Sequence, residues 1–260
     1  MLVLLPPSET KRFGGRQLFS LSNLSYATRL EATRERVRDA LIAVSRDEQS
    51  AVKALKLGVK NRDLREHNLQ LETSGASAAI ERYTGVLYDA LDVESLTDLE
   101  REWVHQHVAI QSALFGLCSA SDEIPAYRLS ASSRLPEIGS ALAKLWAPAH
   151  AGLLDGRPYV LDLRSKDYAA LAPVKDLGAS SNDFLEVVTR DGSGAVRALN
   201  HFNKAAKGDL VRRLALSSPS IGNREQLLDW ALEHDLELTI GDDPHTLRLT
   251  TTQGAPAVSR

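Results

Sequence analysis

The chain is poor in the residues that make the more easily read protein classes recognisable. It has one cysteine, Cys118, in 260 residues. No internal disulfide can form, so a disulfide-stapled secreted scaffold is excluded and a reducing, cytoplasmic setting is expected. No apolar run approaches the roughly 20 residues that span a bilayer. The first apolar run is cut at Pro6 and has no basic residues before it, so it does not read as a signal peptide. The formal net charge is −3, so the chain as a whole is no basic nucleic-acid binder. Any site for a polyanion must be a local concentration of Lys and Arg. Phosphate-binding glycine loops, serine nucleophile elbows and dinucleotide fingerprints are missing. Cys118 has no Cys or His partner at ligand spacing, and His105 and His107 diverge on a helix. Neither a metal site nor a cofactor is expected.

No Pro/Gly/Ser linker divides the chain and no repeat is found. With 43 % hydrophobic residues it can bury a sizeable core. Helical segments come in blocks and several strands read as hairpins. The expectation is one mixed α/β domain over residues 1–253, a mixed sheet flanked by helices, with residues 254–260 as a frayed tail.

The most informative segment is the start, Met1-Leu2-Val3-Leu4-Leu5-Pro6-Pro7-Ser8-Glu9-Thr10-Lys11. An apolar run reads as a buried strand, and the two prolines end it because they lack the N–H that a ladder needs. Ser8, Glu9, Thr10 and Lys11 then arrive at a strand end, where α/β proteins build sites. Further along, Thr28 with Glu31 and Thr97 with Glu100 read as capping boxes. Asp47, Ser77 and Asn223 read as helix caps. Residues 108–114 read as a buried strand ending at Phe115-Gly116, followed by a Ser/Ala/Asp loop. Residues 135–154 are mostly helical. Residues 159–163 read as a strand, and residues 184–189 and 195–199 as a hairpin around Asp191-Gly192. A helix over 204–216, a helix capped by Asn223 and two short strands near 236–240 and 246–251 complete the pattern.

Three strands thus end in polar clusters, after Leu5, Leu163 and Leu199, and Tyr127-Arg128 follows a loop. If these edges converge, they form a positively charged cleft holding Lys11, Arg128, Arg164, Lys166, Lys204 and Lys207. The third cluster carries the strongest signal. On a helical wheel Lys207 falls between Val211 and Leu214 on the apolar side, which is costly unless the amine snorkels or faces a wet cavity. Gly208 permits a close approach of backbone or ligand. A solvated lysine pair on a surface helix accounts for the same residues. Residues 51–68 place two helical stretches around Leu57-Gly58-Val59 with Lys53, Lys56, Lys60, Arg62 and Arg65 nearby. A helix–hairpin–helix presents backbone N–H groups to a phosphate in this way, and an ordinary helix packing unit explains it as well.

Six segments together resemble the YaaA family of bacterial peroxide-stress proteins. They are Leu4-Leu5-Pro6-Pro7-Ser8-Glu9-Thr10-Lys11, Tyr83-Thr84-Gly85-Val86-Leu87-Tyr88, Gln111-Ser112-Ala113-Leu114-Phe115-Gly116, Ile124-Pro125-Ala126-Tyr127-Arg128-Leu129, Asp162-Leu163-Arg164-Ser165-Lys166-Asp167-Tyr168 and Phe202-Asn203-Lys204-Ala205-Ala206-Lys207-Gly208. The resemblance implies a cytoplasmic single-domain protein with a positive cleft, a helix–hairpin–helix element and DNA as partner. It also implies a role in protection against hydrogen peroxide, linked to limiting free iron. Two departures lower the local charge: the loop from Leu117 to Glu123 is not basic, and Ala205 stands where another lysine is expected.

Two functions are weighed. In a DNA-binding stress protein, Lys11, Arg164, Lys204, Lys207 and Arg212 contact phosphates, while Lys56, Gly58 and Lys60 form a hairpin contact with little sequence preference. In an enzyme acting on a small anionic or nucleotide-like substrate, Ser8, Lys11, Tyr127, Arg128, Arg164, Ser165 and Lys207 supply donors or an acid and base. Iron ligation by Glu9, Asp162, Asp167, Glu186 and His201 is a weaker option with no tight spacing.

Overall fold

A computed structural model describes residues 1–190, 196–198 and 202–251. The strands are β1 (Leu2–Leu5), β2 (Gln17–Leu18), β3 (Gly75–Ala78), β4 (Val108–Ser112), β5 (Gly116–Ser119), β6 (Glu123–Ile124), β7 (Val160–Asp162), β8 (Asn182–Arg190), β9 (Val196–Ala198), β10 (Glu237–Ile240) and β11 (Thr246–Thr250). The helices are α1 (Ala27–Ser45), α2 (Glu48–Leu55), α3 (Arg65–Leu69), α4 (Ala79–Arg82), α5 (Val86–Leu91), α6 (Asp98–His107), α7 (Leu142–His150), α8 (Lys166–Ala169), α9 (Phe202–Ser217) and α10 (Arg224–Glu233). The main sheet runs β10-β11-β8-β7-β1-β4-β5, with β9 paired to β8, and β2-β3-β6 form a small second sheet. The fold is mixed α/β, as the sequence leads one to expect. The turn at Asp191-Gly192, Leu199, and residues 254–260 lie outside the described residues.

β1 sits at the centre, parallel to both β4 and β7. A parallel strand covered on both faces needs an unbroken apolar run, and Leu2, Val3, Leu4 and Leu5 are all buried. Alternate residues serve opposite faces. Val3 and Leu5 join the larger core, whereas Leu2 and Leu4 join a smaller one with Leu154, Val160 and Leu177. The register aligns Leu5 with Ile110, Leu4 with Asp162, and Asp162 with Phe184. The carboxyl ends of β1, β4 and β7 are therefore level, alongside the middle of β8. Residues Pro6, Ser112, Arg164 and Glu186 share one edge of the sheet.

Asp47 and Asn223 cap α2 and α10, and Thr97 with Glu100 forms the expected capping box at α6. Three expectations are corrected. Thr28 lies inside α1, whose entry is set by left-handed Tyr26 with no side-chain cap. A distant residue does the work there: Asp122 accepts hydrogen bonds from the Ser25 amide and hydroxyl at 3.0 and 2.7 Å. Ser77 is in strand β3, because its segment pairs with Ile124 of β6. The helix expected to follow it is split into α4 and α5, since the Thr84 amide bonds the Thr10 carbonyl and Gly85 takes φ 96°. The loop after Gly116 is strand β5, antiparallel to β4. Gly116 is required at that turn: its φ is 67°, and a Cβ there would lie 2.7 Å from the Trp146 ring.

Helix α9 packs closely on α5. A Cβ on Gly208 would lie 2.1 Å from the Leu87 carbonyl oxygen, so the close approach that glycine permits here is by a neighbouring backbone. Among the described residues no helix is long and apolar enough to cross a membrane. Gly208→Ala must separate α9 from α5 and is expected to destabilise the protein by roughly 1–3 kcal/mol. Urea unfolding measures it, and an unchanged midpoint would show that α9 and α5 can part without cost.

Candidate functional site: the carboxyl edge of the sheet

Lys11 does not point free into solvent. Its Nζ donates to the carbonyls of Ser8 at 2.9 Å and Glu9 at 3.4 Å, and lies 4.2 Å from the centre of the Tyr127 ring. The three ammonium hydrogens are thus taken up by two carbonyls and a π face. Lys11 folds the loop after β1 back on itself. Thr10 helps, bonding Ser8 Oγ at 3.2 Å and the Thr84 carbonyl at 3.2 Å. Burial, with the Arg128 charge added, lowers the Lys11 amine to about 7.

Under this loop runs a chain of hydroxyls. Ser112 Oγ accepts from the amides of Leu114 and Phe115 at 3.1 and 3.0 Å. With both lone pairs engaged, its own proton goes to Tyr127 Oη at 2.7 Å. Tyr127 in turn donates to Tyr83 Oη at 2.8 Å. Burial raises both phenols above the ordinary tyrosine range, so the chain is neutral and structural at physiological pH.

Arg164 begins the second half of the edge. It is fully buried, and its Nε and Nη2 grip both oxygens of Asp162 at 2.8 and 2.7 Å. Nη1 donates to Gln111 Oε1 at 3.2 Å. Gln111 also meets His150 Nε2 at 3.5 Å. His150 Nδ1 faces the Trp146 carbonyl at 2.8 Å, which can only accept, so Nε2 is the bare nitrogen and receives the Leu117 amide at 3.0 Å. Burial lowers this imidazole to about 4. Lys207 is also buried, among Leu210, Val211 and Leu214 as its helical position suggests. Its Nζ donates to the Leu163 carbonyl at 2.9 Å and lies 5.6 Å from the Phe184 ring. Burial lowers it to about 8, against the pull of Asp162 and Glu186.

The strand ends do bring Lys11, Tyr127, Arg128, Arg164 and Lys207 to one edge, but their positive charge is largely matched. Arg128 pairs with Glu9 and Arg164 with Asp162. Arg164, with no exposed surface, holds the edge together and does not reach a ligand. Arg212 is elsewhere: it donates to the Leu91 and Asp92 carbonyls at the end of α5. Ser165 and Lys204 are exposed, and Ser8 is half-buried. The segment with Lys56, Gly58 and Lys60 adjoins the edge. Asn68 accepts from the Arg128 amide at 2.7 Å and donates to its carbonyl at 3.1 Å, and His67, stacked on Phe13 at 4.3 Å, feels the Lys11 charge. Lys56, Gly58 and Lys60 are exposed. The left-handed residue is Lys56, whereas Gly58 is extended and opens a 3-10 helix from Val59 to Leu64.

The iron set does not assemble among the described residues, where no three His, Cys, Asp or Glu side chains are grouped for a metal. Asp162 and Glu9 are committed to arginines, Glu186 to Arg248, and His201 lies outside the described residues. Sequence reasoning missed Gln111, His150 and the Ser112–Tyr83 hydroxyl chain as members of the edge. It also missed Arg34 and Arg82, both fully buried. Arg34 had a visible signal, standing on the apolar stripe of Leu30, Val37 and Leu41.

Residues 1–234 match the model of the family described as peroxide stress protein YaaA. A UPF0246 protein of Corynebacterium glutamicum is 41 % identical over 236 residues, covering 89 % of this chain and 91 % of its own. A UPF0246 protein of Streptomyces coelicolor is 38 % identical over 218 residues, covering 82 % of each. A UPF0246 protein of Bordetella avium is 30 % identical over 146 residues, or 53 % of this chain and 55 % of its own.

The buried amine of Lys207 makes stability depend on pH. Its folded value of about 8 lies below the 10.5 of an unperturbed lysine. Between those values the unfolded chain binds more protons, so resistance to unfolding rises with pH across the window and is lost as pH falls to 8. Wild type should therefore gain stability over Lys207→Met between pH 8 and 10 in urea titrations. A constant gap between the two would mean that the folded amine titrates normally.

Proposed function

This chain belongs to the family of peroxide stress protein YaaA, and on that premise we propose that it protects DNA by binding its phosphate backbone along the carboxyl edge of the sheet. The observation that carries the reading is the convergence of strand ends with the helical segment of residues 48–69. Asn68 ties that segment to the Arg128 backbone, and Lys56, Gly58 and Lys60 of the same segment are exposed. Lys56, Lys60, Lys166 and Lys204 are accessible cations for phosphates. Lys11 and Lys207 contribute charge from behind, where a low-dielectric wall focuses a field. Arg164 and Arg212 act as scaffold.

The link to iron then takes a physical form. DNA holds a condensed layer of counter-ions, and each phosphate that a lysine neutralises releases some of them. Iron(II) is a cation of that layer, so an occupied backbone keeps less iron where peroxide would generate damaging radicals. The protein needs no iron site of its own for this effect.

A second reading rests on the two lysines at the edge, lowered to about 7 and about 8. Amines that are partly neutral at cellular pH suit acid–base work on a small anionic substrate. Ser8, Arg128 and Ser165 are the remaining candidates to bind such a substrate, while Tyr127 stays in the neutral hydroxyl chain beneath. A thermal-shift screen with nucleotides and small phosphoesters separates it from the first reading, because a DNA binder needs no small ligand.

Contact with about four phosphates, one for each of Lys56, Lys60, Lys166 and Lys204, gives a slope near −4 in log affinity against log salt. Mobility shifts over a salt series should show it with duplex DNA. Replacing Lys56, Lys60 and Lys204 together by Gln should lower the slope by roughly 3. Folded protein that shifts no DNA at low salt would overturn the reading.

A further inference from the structure

The ion pair between Arg128 and Glu9 is lopsided. Arg128 is 7 % exposed, whereas the Glu9 side chain is 68 % exposed. Nη1 of the arginine meets Glu9 Oε2 at 3.0 Å. Its Nε is buried and finds no acceptor. A buried donor with no partner is uncommon in folded proteins and calls for an explanation. Its backbone is clasped on both sides by Asn68, which fixes where the side chain starts. Lys11 places a second cation close by, near enough to feel the arginine charge. Two cations and an unused guanidinium edge thus share one exposed carboxylate. A guanidinium edge is shaped for paired oxygens of one group, and Glu9 contacts the other side of it.

We propose that Arg128 is the receptor for a phosphate group, and that Glu9 is its built-in competitor. The Glu9 carboxylate neutralises the guanidinium in the empty protein. When its exposed side chain moves to solvent, Nη1 is vacated and phosphate oxygens take the guanidinium there, with the Lys11 charge matching the second negative charge. The phosphate belongs either to a nucleic-acid backbone or to a small phosphomonoester. This proposal rests on the reading that the edge binds phosphates, but it assigns the receptor and the restraint upon it.

The test is calorimetric titration of four proteins with inorganic phosphate, a nucleoside 5′-monophosphate and a duplex oligonucleotide. The proteins are wild type, Glu9→Gln, Glu66→Gln and Arg128→Lys. Glu9 is exposed, so Glu9→Gln should fold, and a thermal melt confirms it. Freeing Arg128 from a partly exposed pair should tighten a phosphate probe about fivefold. Glu66 lies on neighbouring α3 and pairs with Arg65 at 2.9 Å. Glu66→Gln makes the same change of charge without touching Arg128, and its gain should be clearly smaller. Arg128→Lys keeps the charge but loses the fork, so it should bind more weakly than wild type. A gain confined to the duplex identifies the backbone as source, and a gain with the monophosphate identifies a small phosphoester. Monophosphate binding without duplex binding would end the DNA reading and leave this one standing. Duplex binding that Glu9→Gln leaves unchanged, or that Glu66→Gln raises equally, would overturn this proposal alone. No binding of any probe by wild type or Glu9→Gln would also overturn it.

Discussion

Buried cations that gather backbone carbonyls hold this fold together. Arg34 donates to the carbonyls of Ser25, Phe115 and Leu117. Arg82 donates to those of Arg12, Gly14, Gly75 and Ile124. Lys11 and Lys207 do the same on a smaller scale at the sheet edge. A charge taken out of water needs dipoles in return, and carbonyls of irregular segments need donors. Each requirement meets the other. The chain thereby fixes loops that no regular ladder could hold, including the turn between β4 and β5 and the glycine-containing segment after Lys11.

This device explains why the carboxyl edge of the sheet is less positive than a count of its lysines and arginines suggests. Arg164 is balanced by Asp162, Arg128 by Glu9, and Lys11 is turned inward. Charges buried in this way shape the edge, while Lys56, Lys60, Lys166 and Lys204 stand exposed. Removing a buried member would collapse the loop it holds. Loss of function in such a variant would therefore report on shape before it reported on binding.

Much of the architecture was legible in local pattern. The Leu2–Leu5 run, the prolines behind it, the capping box at Thr97 and the caps at Asp47 and Asn223 all act within a few residues of themselves. Lys207 announced its burial by its place on a helical wheel. The misreadings have one cause. Thr28 and Ser77 carry local capping signals that lost to distant partners, Asp122 for the entry to α1 and Ile124 for β3. Strand β5 was hidden because the four residues Gly116-Leu117-Cys118-Ser119 are too short to show a period and have no strong preference until β4 lies beside them.

The sequence alone determined that a buried first strand would end at Pro6 and that cationic clusters would follow the strand ends, because both are consequences of chain-local sterics and hydrophobic period. Only the tertiary structure decided which of those cations remain available. Whether an arginine meets water, a carboxylate or a ring of carbonyls depends on segments tens of residues away, and no spacing along the chain encodes that distance. Arg128 shows the difference: its neighbours Tyr127 and Leu129 could be read from the chain, but Glu9, Asn68 and Lys11 reach it only through the fold.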